Sequence, residues 1–200
     1  MTDGIGAVVL AAGSSSRMRQ PKQTLQFGGR SLLRRAALAA VGGGCNPIIV
    51  VIGAQAELSR SELDGLEVRE VFNPDWRTGL ASSIRTGLES LLTADPNAGG
   101  AVFLVCDQPR VTAHVVSGLI AAHRATQQPV IASSYGGTLG VPALFGRSLF
   151  ARLARLEGST GAKNVIHENV LDAHFLPFPG GEVDVDTPDD FACLIALHVE

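Results

Sequence analysis

Two cations and two carboxylates, widely separated along the chain, are the residues best suited to chemistry. Arg17 and Lys22 follow the small-residue stretch Leu10, Ala11, Ala12, Gly13 and the serines Ser14, Ser15 and Ser16. Gly13 has no Cβ and tolerates positive φ, so a ligand can approach the backbone closely. The serines leave successive N–H groups free to form an anion-binding nest. Arg17 adds a bidentate charge and Lys22 a point charge, a combination suited to a polyphosphate. The spacing matches neither Gly-x-Gly-x-x-Gly nor a P-loop. The plainer alternative is a surface turn with solvated charges.

Asp107 follows the apolar run Ala101 to Cys106 and precedes Gln108 and Pro109. At a strand end beside a phosphate site, its carboxylate is placed to hold Mg²⁺, which takes one or two carboxylates plus phosphate oxygens. Taken alone, the same residue is an ordinary turn-former. A second acidic group comprises Asp184, Asp186, Asp189 and Asp190. Thr187 can cap a terminal helix with Pro188 at its first position and acids in its first turn, which accounts for Asp189 and Asp190. Asp184 and Asp186 alternate with valines, as along a short strand, so they point to opposite faces. Asp186 is assigned as the second Mg²⁺ ligand and Asp184 as structural.

The elements that must position these groups alternate between apolar runs and helical patterns, the signature of βαβ units and a mostly parallel sheet. Strands are expected at 7–11, 47–52, 67–72, 101–106, 129–132 and 173–176. Helices are expected at 31–41, 55–60, 79–92, 112–125, 148–156, 161–169 and 188–198. The run Ile48-Ile-Val-Val-Ile52 lacks alternation, as a strand covered on both faces should. Ligands of such sheets bind beyond the carboxyl ends of the strands, where the glycine loop and Asp107 can meet.

Two hundred residues with 46 % hydrophobic content and 23 glycines suit one α/β domain over 1–200. The net charge of −3 argues against a broad nucleic-acid-binding face. No apolar run reaches the ~20 residues of a membrane span. The first residues lack a signal-peptide pattern, so a cytoplasmic protein is expected. Cys45, Cys106 and Cys193 and the five scattered histidines form no zinc-ligand spacing.

The whole set resembles the molybdenum cofactor nucleotidyltransferases, in particular the cytidylyltransferase branch. The matching segments are Leu10 to Gly13, Arg17 and Met18, Lys22, Asn73 to Gly79 with Ser82 and Ser83, Asp107 to Pro109, and Val183 to Asp189. The resemblance implies a three-layer α/β sandwich with a mostly parallel sheet, nucleotide-diphospho-sugar transferase-like. It implies nucleoside triphosphate binding by Leu10, Ala11, Ala12, Gly13, Ser14, Arg17 and Lys22, the last two being catalytic, and Mg²⁺ on Asp107 and Asp186. The pterin-facing residues it implies are Asn73, Trp76, Gly79 and Ser82. Gly136, Gly137 and Gly140 are expected to wrap an acceptor phosphate, and Trp76 and Tyr135 to stack on a flat ring. Lys163 follows a Gly-x-x-Gly-Ala segment similar to the family's, and a solvated helix lysine is the competing account. The chain departs from the Gly-His-Pro usual in cytidylyltransferases, with Val141 between Gly140 and Pro142.

The implied reaction moves a nucleoside monophosphate onto a phosphate of molybdopterin, with pyrophosphate released. Ala12 favours CTP over GTP, since guanylyl-transferring relatives tend to carry Gly there. Alternatives are guanylyl transfer to the same cofactor, a sugar-phosphate nucleotidyltransferase, and a non-catalytic nucleotide or pterin carrier. A molybdoenzyme or its chaperone would be the downstream partner.

Overall fold

The computed structural model describes residues 4–197. The expected end of the last helix, at His198, lies outside them, as do the first three residues. In chain order the elements are β1 (Ile5–Ala11), β2 (Gln26–Phe27), β3 (Arg30–Ser31), α1 (Leu32–Gly42), β4 (Ile48–Ile52), α2 (Ala56–Leu63), β5 (Arg69–Phe72) and α3 (Leu80–Ala94). They continue with β6 (Gly100–Val105), α4 (Ala113–Thr126), β7 (Val130–Tyr135), β8 (Thr138–Gly146), α5 (Phe150–Leu153), α6 (Ala162–Glu168), β9 (Ala173–Pro177) and α7 (Pro188–Ala196).

Seven strands form one sheet in the order β5-β4-β1-β6-β8-β7-β9. β1 is flanked by parallel neighbours on both sides, with Leu10 opposite Val51 of β4 and Val105 of β6. Only β8 runs against its neighbours, pairing antiparallel with β6 and β7. The alternation of side chains along each strand divides the core in two. Ala7, Val9 and Ala11 pack with Leu33, Ala36, Val116 and Leu119 of α1 and α4 on one face. Val8 and Leu10 pack with Ile84, Leu88 and Leu91 of α3 and with Phe150 and Val165 on the other. A sheet covered this way needs apolar residues at every position, which is why β1, β4 and β6 read as uninterrupted runs. Phe103 and Phe145 meet edge to face across β6 and β8, their ring centroids 5.7 Å apart, a geometry worth about 0.5–1.5 kcal/mol beyond area burial.

Two segments differ from the sequence reading. Residues 136–142 do not form a phosphate-wrapping loop: Gly136 and Gly137, at φ 52 and 73, make the tight turn between β7 and β8, and Thr138 onward is strand. Left-handed backbone at both central residues is what a two-residue hairpin turn demands. The glycines and Pro142 disguised a buried strand as a loop. Residues 183–186 are likewise irregular rather than extended in a ladder, so the opposite-face argument for Asp184 and Asp186 does not apply.

Candidate active site

β1 ends in the middle of the sheet, and the chain after Ala11 turns across the strands' carboxyl edge. Met18 anchors this excursion. Its side chain is 1 % exposed and sits in a third apolar cluster with Leu25, Phe27, Leu32, Val185 and Leu194. That single burial fixes Arg17 on one side and draws in the segment preceding α7. Gly13 does not use the left-handed conformation that glycine permits; Ser15 does, at φ 55. What Gly13 contributes is room, because a Cβ added there would meet nothing within 4 Å.

The segment before α7 is held from both directions. The Val185 N–H donates to the Asp107 carbonyl at 2.9 Å. Thr187 and Asp190 form a reciprocal capping box, and the Asp186 and Thr187 N–H groups both donate to the Asp190 carboxylate at 3.1 and 2.8 Å. With Val185 buried, its neighbour Asp186 is placed beside Asp107.

Lys22 closes the arrangement. Its Nζ donates to Asp107 Oδ2 at 2.6 Å and to Asp186 Oδ1 at 2.9 Å. Arg17 adds a bond from its guanidinium to Asp186 Oδ2 at 2.9 Å, from a side chain that is 70 % exposed. Burial by itself would lower the Lys22 pKa, but the Asp107 charge and the hydrogen bonds to Asp107 and Asp186 outweigh it and raise it. For Asp186 partial burial works upward, and Lys22 and Arg17 bring the carboxyl below its ordinary range. Four charges from three distant segments of the chain therefore form one cluster at the mouth of the glycine loop.

Asp184 belongs to the same electrostatic neighbourhood, which the sequence reading missed. Desolvation, then the negative charges of Asp107 and Asp186, push its carboxyl up to about 6. A carboxyl raised in the fold retains a proton that the unfolded chain has released, so the fold loses relative stability as pH climbs from about 4 through about 6. Asp184→Asn is expected to raise the melting temperature by a few degrees at neutral pH. The gain should shrink as pH falls and vanish below about pH 3, where both states are protonated. Thermal melts in EDTA across that range test it; a gain independent of pH would exclude titration as the cause.

The loop, Lys22 and Asp107 share a cleft of about 260 Å³ with Trp76, Gly79, Leu80, Ser83, Val105 and Cys106. A larger apolar groove of about 620 Å³, floored by Leu88 and Phe150, shares no lining residue with it. Trp76 is half-buried, packs on the apolar cluster beneath α3, and carries the Arg77 guanidinium 4.3 Å above its ring. Cys106 is buried at the cleft floor, and desolvation pushes its thiol up to about 12.

Asn73 and Ser82, expected to face the acceptor, are directed inward. Asn73 is 1 % exposed and donates to the Ser82 and Ser83 hydroxyls at 2.9 and 3.0 Å. It also accepts from the Asp75 N–H at 2.9 Å. Ser82 Oγ lies within hydrogen-bond distance of the Asp75 and Gly79 carbonyls, at 3.0 and 2.8 Å. These groups hold the turn that presents Trp76 rather than reaching the cleft themselves. Gly140 lies in β8 beneath Tyr135, whose hydroxyl a Cβ at that position would approach to 2.1 Å. Tyr135 is itself committed, donating to the Val141 carbonyl at 3.0 Å and standing edge-on to Phe178. Gly137 is at the hairpin tip, and neither glycine lines the cleft. Lys163 is exposed on α6.

Gly79 has a backbone role that no other residue can fill. Its φ is +119, and an added Cβ would lie 2.2 Å from the Gly158 carbonyl oxygen. The strained conformation and the backbone overlap together predict that Gly79→Ala costs about 2–4 kcal/mol. Chemical denaturation measures this directly, and a cost under about 1 kcal/mol would show that the Gly158 loop yields freely.

A parallel sheet with a cationic loop after its first strand and paired acids at the carboxyl edge is the layout of a nucleotide-binding transferase domain. The model of the MobA-like NTP transferase domain matches residues 7–173, and the chain belongs to that family. It is similar in structure to Rv0371c from Mycobacterium tuberculosis H37Rv, with TM-score 0.85 and 30 % identity, covering 98 % of this chain and 100 % of that one. The manganese complex of Rv0371c gives TM-score 0.78 and 31 % identity, over 96 % and 98 % of the two chains. The nicotine blue oxidoreductase of Paenarthrobacter nicotinovorans is 32 % identical over 121 residues, which is 60 % of this chain and 57 % of that protein. The chain thus spans little more than half the length of that curated relative. The fold is of the nucleotide-diphospho-sugar transferase type, and no described helix is long and apolar enough to cross a membrane.

Proposed function

We propose that the protein transfers a nucleoside monophosphate, CMP from CTP, onto a phosphate of molybdopterin and releases pyrophosphate. The observation that carries this reading is the Lys22 ammonium bonded to both Asp107 and Asp186 beside the open backbone at Gly13. The acceptor phosphate is already ionised at neutral pH, so its oxygen attacks the α-phosphorus without a general base, and the bond to the pyrophosphate oxygen breaks. Catalysis then rests on alignment and charge stabilisation. The loop N–H groups and Ser14 receive the phosphates, Arg17 and Lys22 neutralise the charge that builds on the leaving group, and Leu10, Ala11 and Ala12 shape the apolar wall.

A divalent metal suits the donor set. Asp107 and Asp186 are hard oxygen ligands, and the position between them already accepts a cation in the form of the Lys22 ammonium. Among the described residues no three His, Cys, Asp or Glu side chains gather as a complete cage. Mg²⁺ held by one or two carboxylates would complete its shell with phosphate oxygens and water. When bound by Asp107 and Asp186, Mg²⁺ would supply Lewis-acid stabilisation of phosphate charge.

Trp76 is the group in the cleft suited to stacking on the pterin or the base. Tyr135 is held by its own contacts and is assigned no stacking role. A sugar-phosphate acceptor is the competing reading, favoured by Val141 where cytidylyltransferases carry histidine. Incubation with labelled CTP or GTP, Mg²⁺ and either molybdopterin or a panel of sugar phosphates separates the readings. Label appearing in molybdopterin with equimolar pyrophosphate supports the proposal. Transfer to sugar phosphates alone overturns the acceptor, and preference for GTP overturns the nucleotide.

A further inference from the structure

Gln23 is one of the few polar side chains buried in the protein, at 1 % exposure. It directly follows Lys22 and lies in the wall of the cleft. Its Nε2 donates to the Ala11 carbonyl at 3.0 Å and to the Gly13 carbonyl at 2.8 Å. Its Oε1 accepts from Ser15 Oγ at 3.3 Å, and Ser15 Oγ in turn accepts from the Lys22 N–H at 3.1 Å. One carboxamide therefore ties the start, the middle and the far end of the glycine loop together.

The consequence follows from peptide geometry. In a trans peptide the C=O of one residue and the N–H of the next point in opposite directions. Drawing the Ala11 and Gly13 carbonyls onto Gln23 turns the Ala12 and Ser14 N–H groups away from it. The carbonyl between them, on Ala12, is held separately by the Ala54 N–H at 3.1 Å. Loops of small residues have many accessible conformations, and most would direct some carbonyl oxygens, rather than N–H groups, at an anion. We propose that Gln23 is a positioning residue that presets this loop as a row of donors for the triphosphate, and links that preset to Lys22 through Ser15.

No other side chain type of this length fits the role. Glutamate cannot donate to two carbonyls and would place a negative charge against them. Methionine fills the volume and removes both donors and the acceptor. A buried amide with two donors and an acceptor all used is also a costly group to keep unless its partners matter, since an unpaired one is penalised.

The inference rests on the reading of the loop as the triphosphate site, and the test separates the two. Wild type, Gln23→Met, Gln23→Glu and Ser15→Ala are compared for CTP KM, molybdopterin KM, kcat and the Kd of Mg-pyrophosphate by calorimetry. The expected result is a rise of about tenfold or more in CTP KM and in pyrophosphate Kd for Gln23→Met, and larger for Gln23→Glu, with molybdopterin KM within twofold. Ser15→Ala should raise the same two constants about threefold. A merely structural role would lower the folded fraction and scale apparent kcat, leaving KM and Kd unmoved. Wild type that binds neither CTP, GTP nor pyrophosphate overturns the reading of the site. Wild type that binds them while Gln23→Met stays within twofold overturns the role of Gln23 alone. If the Gln23 variants do not fold, Ser15→Ala decides, and unchanged constants there overturn the proposal.

Discussion

Replacing Lys22 with alanine is expected to lower turnover by about 10²–10³-fold, the loss that follows removal of one preorganised electrostatic donor. The geometry adds a second consequence. The ammonium, 14 % exposed, is the counter-ion common to Asp107 and Asp186, whose side chains are 23 % and 33 % exposed. Its loss leaves the two carboxylates facing each other with only the exposed Arg17 guanidinium still paired to Asp186. Exposed pairs are worth about 0–1 kcal/mol and breaking fully buried ones costs about 3–5. This half-buried triad should fall between, at about 2 kcal/mol. Lys22→Ala should therefore still fold but melt at lower temperature in EDTA, and Mg²⁺ or Mn²⁺ should restore more stability to it than to wild type. Turnover comes from pyrophosphate release and stability from thermal melts with and without metal. A variant with near-native turnover would remove Lys22 from the site, and equal metal stabilisation of both proteins would show that the acids do not share a cation.

Asp107→Asn is expected to reduce turnover by about 10³-fold, since losing a ligand of the proposed Mg²⁺ would forfeit several kcal/mol of charge stabilisation and each 1.36 kcal/mol is tenfold. The substitution keeps the shape and the bond to Lys22 but removes the charge that attracts the cation. Asp107 also accepts the Val185 N–H through its backbone, which the substitution leaves in place, so the effect should appear in kcat and metal affinity rather than in folding. The double variant with Lys22→Ala should fall well short of the product of the single losses, because the two residues touch and act as a unit. Additive losses would mean that the charges work independently.

Much of this was legible in the chain. The strands through Ile48–Ile52 and Gly100–Val105 declared themselves because a strand covered on both faces admits only apolar residues, and that constraint is local. The capping of α7 by Thr187 was visible for the same reason, since a helix start needs its acceptor within three residues. The types of Arg17, Lys22, Asp107 and Asp186 point by themselves to phosphate and a hard cation, the roles proposed for them above.

What the tertiary structure decided is which of these groups meet and which way each one faces. Gly136 and Gly137 do make a turn, yet β8 runs straight on through Gly140 and Pro142 because the hairpin must place Ala143 and Phe145 against β6. Asn73 and Ser82 match a ligand-facing motif but bond each other, and Ser82 turns its hydroxyl onto the Asp75 and Gly79 carbonyls of the turn that carries Trp76. Asp184 looked remote from the site and shares its field. Gln23 carries no motif at all and gains its role from three loop groups brought within its reach. Composition and periodicity record what each residue buries against its own neighbours. Convergence of Lys22 with Asp107 and Asp186 depends instead on strand order, on where Met18 and Val185 pack, and on backbone bonds between distant segments, none of which leaves a periodic trace.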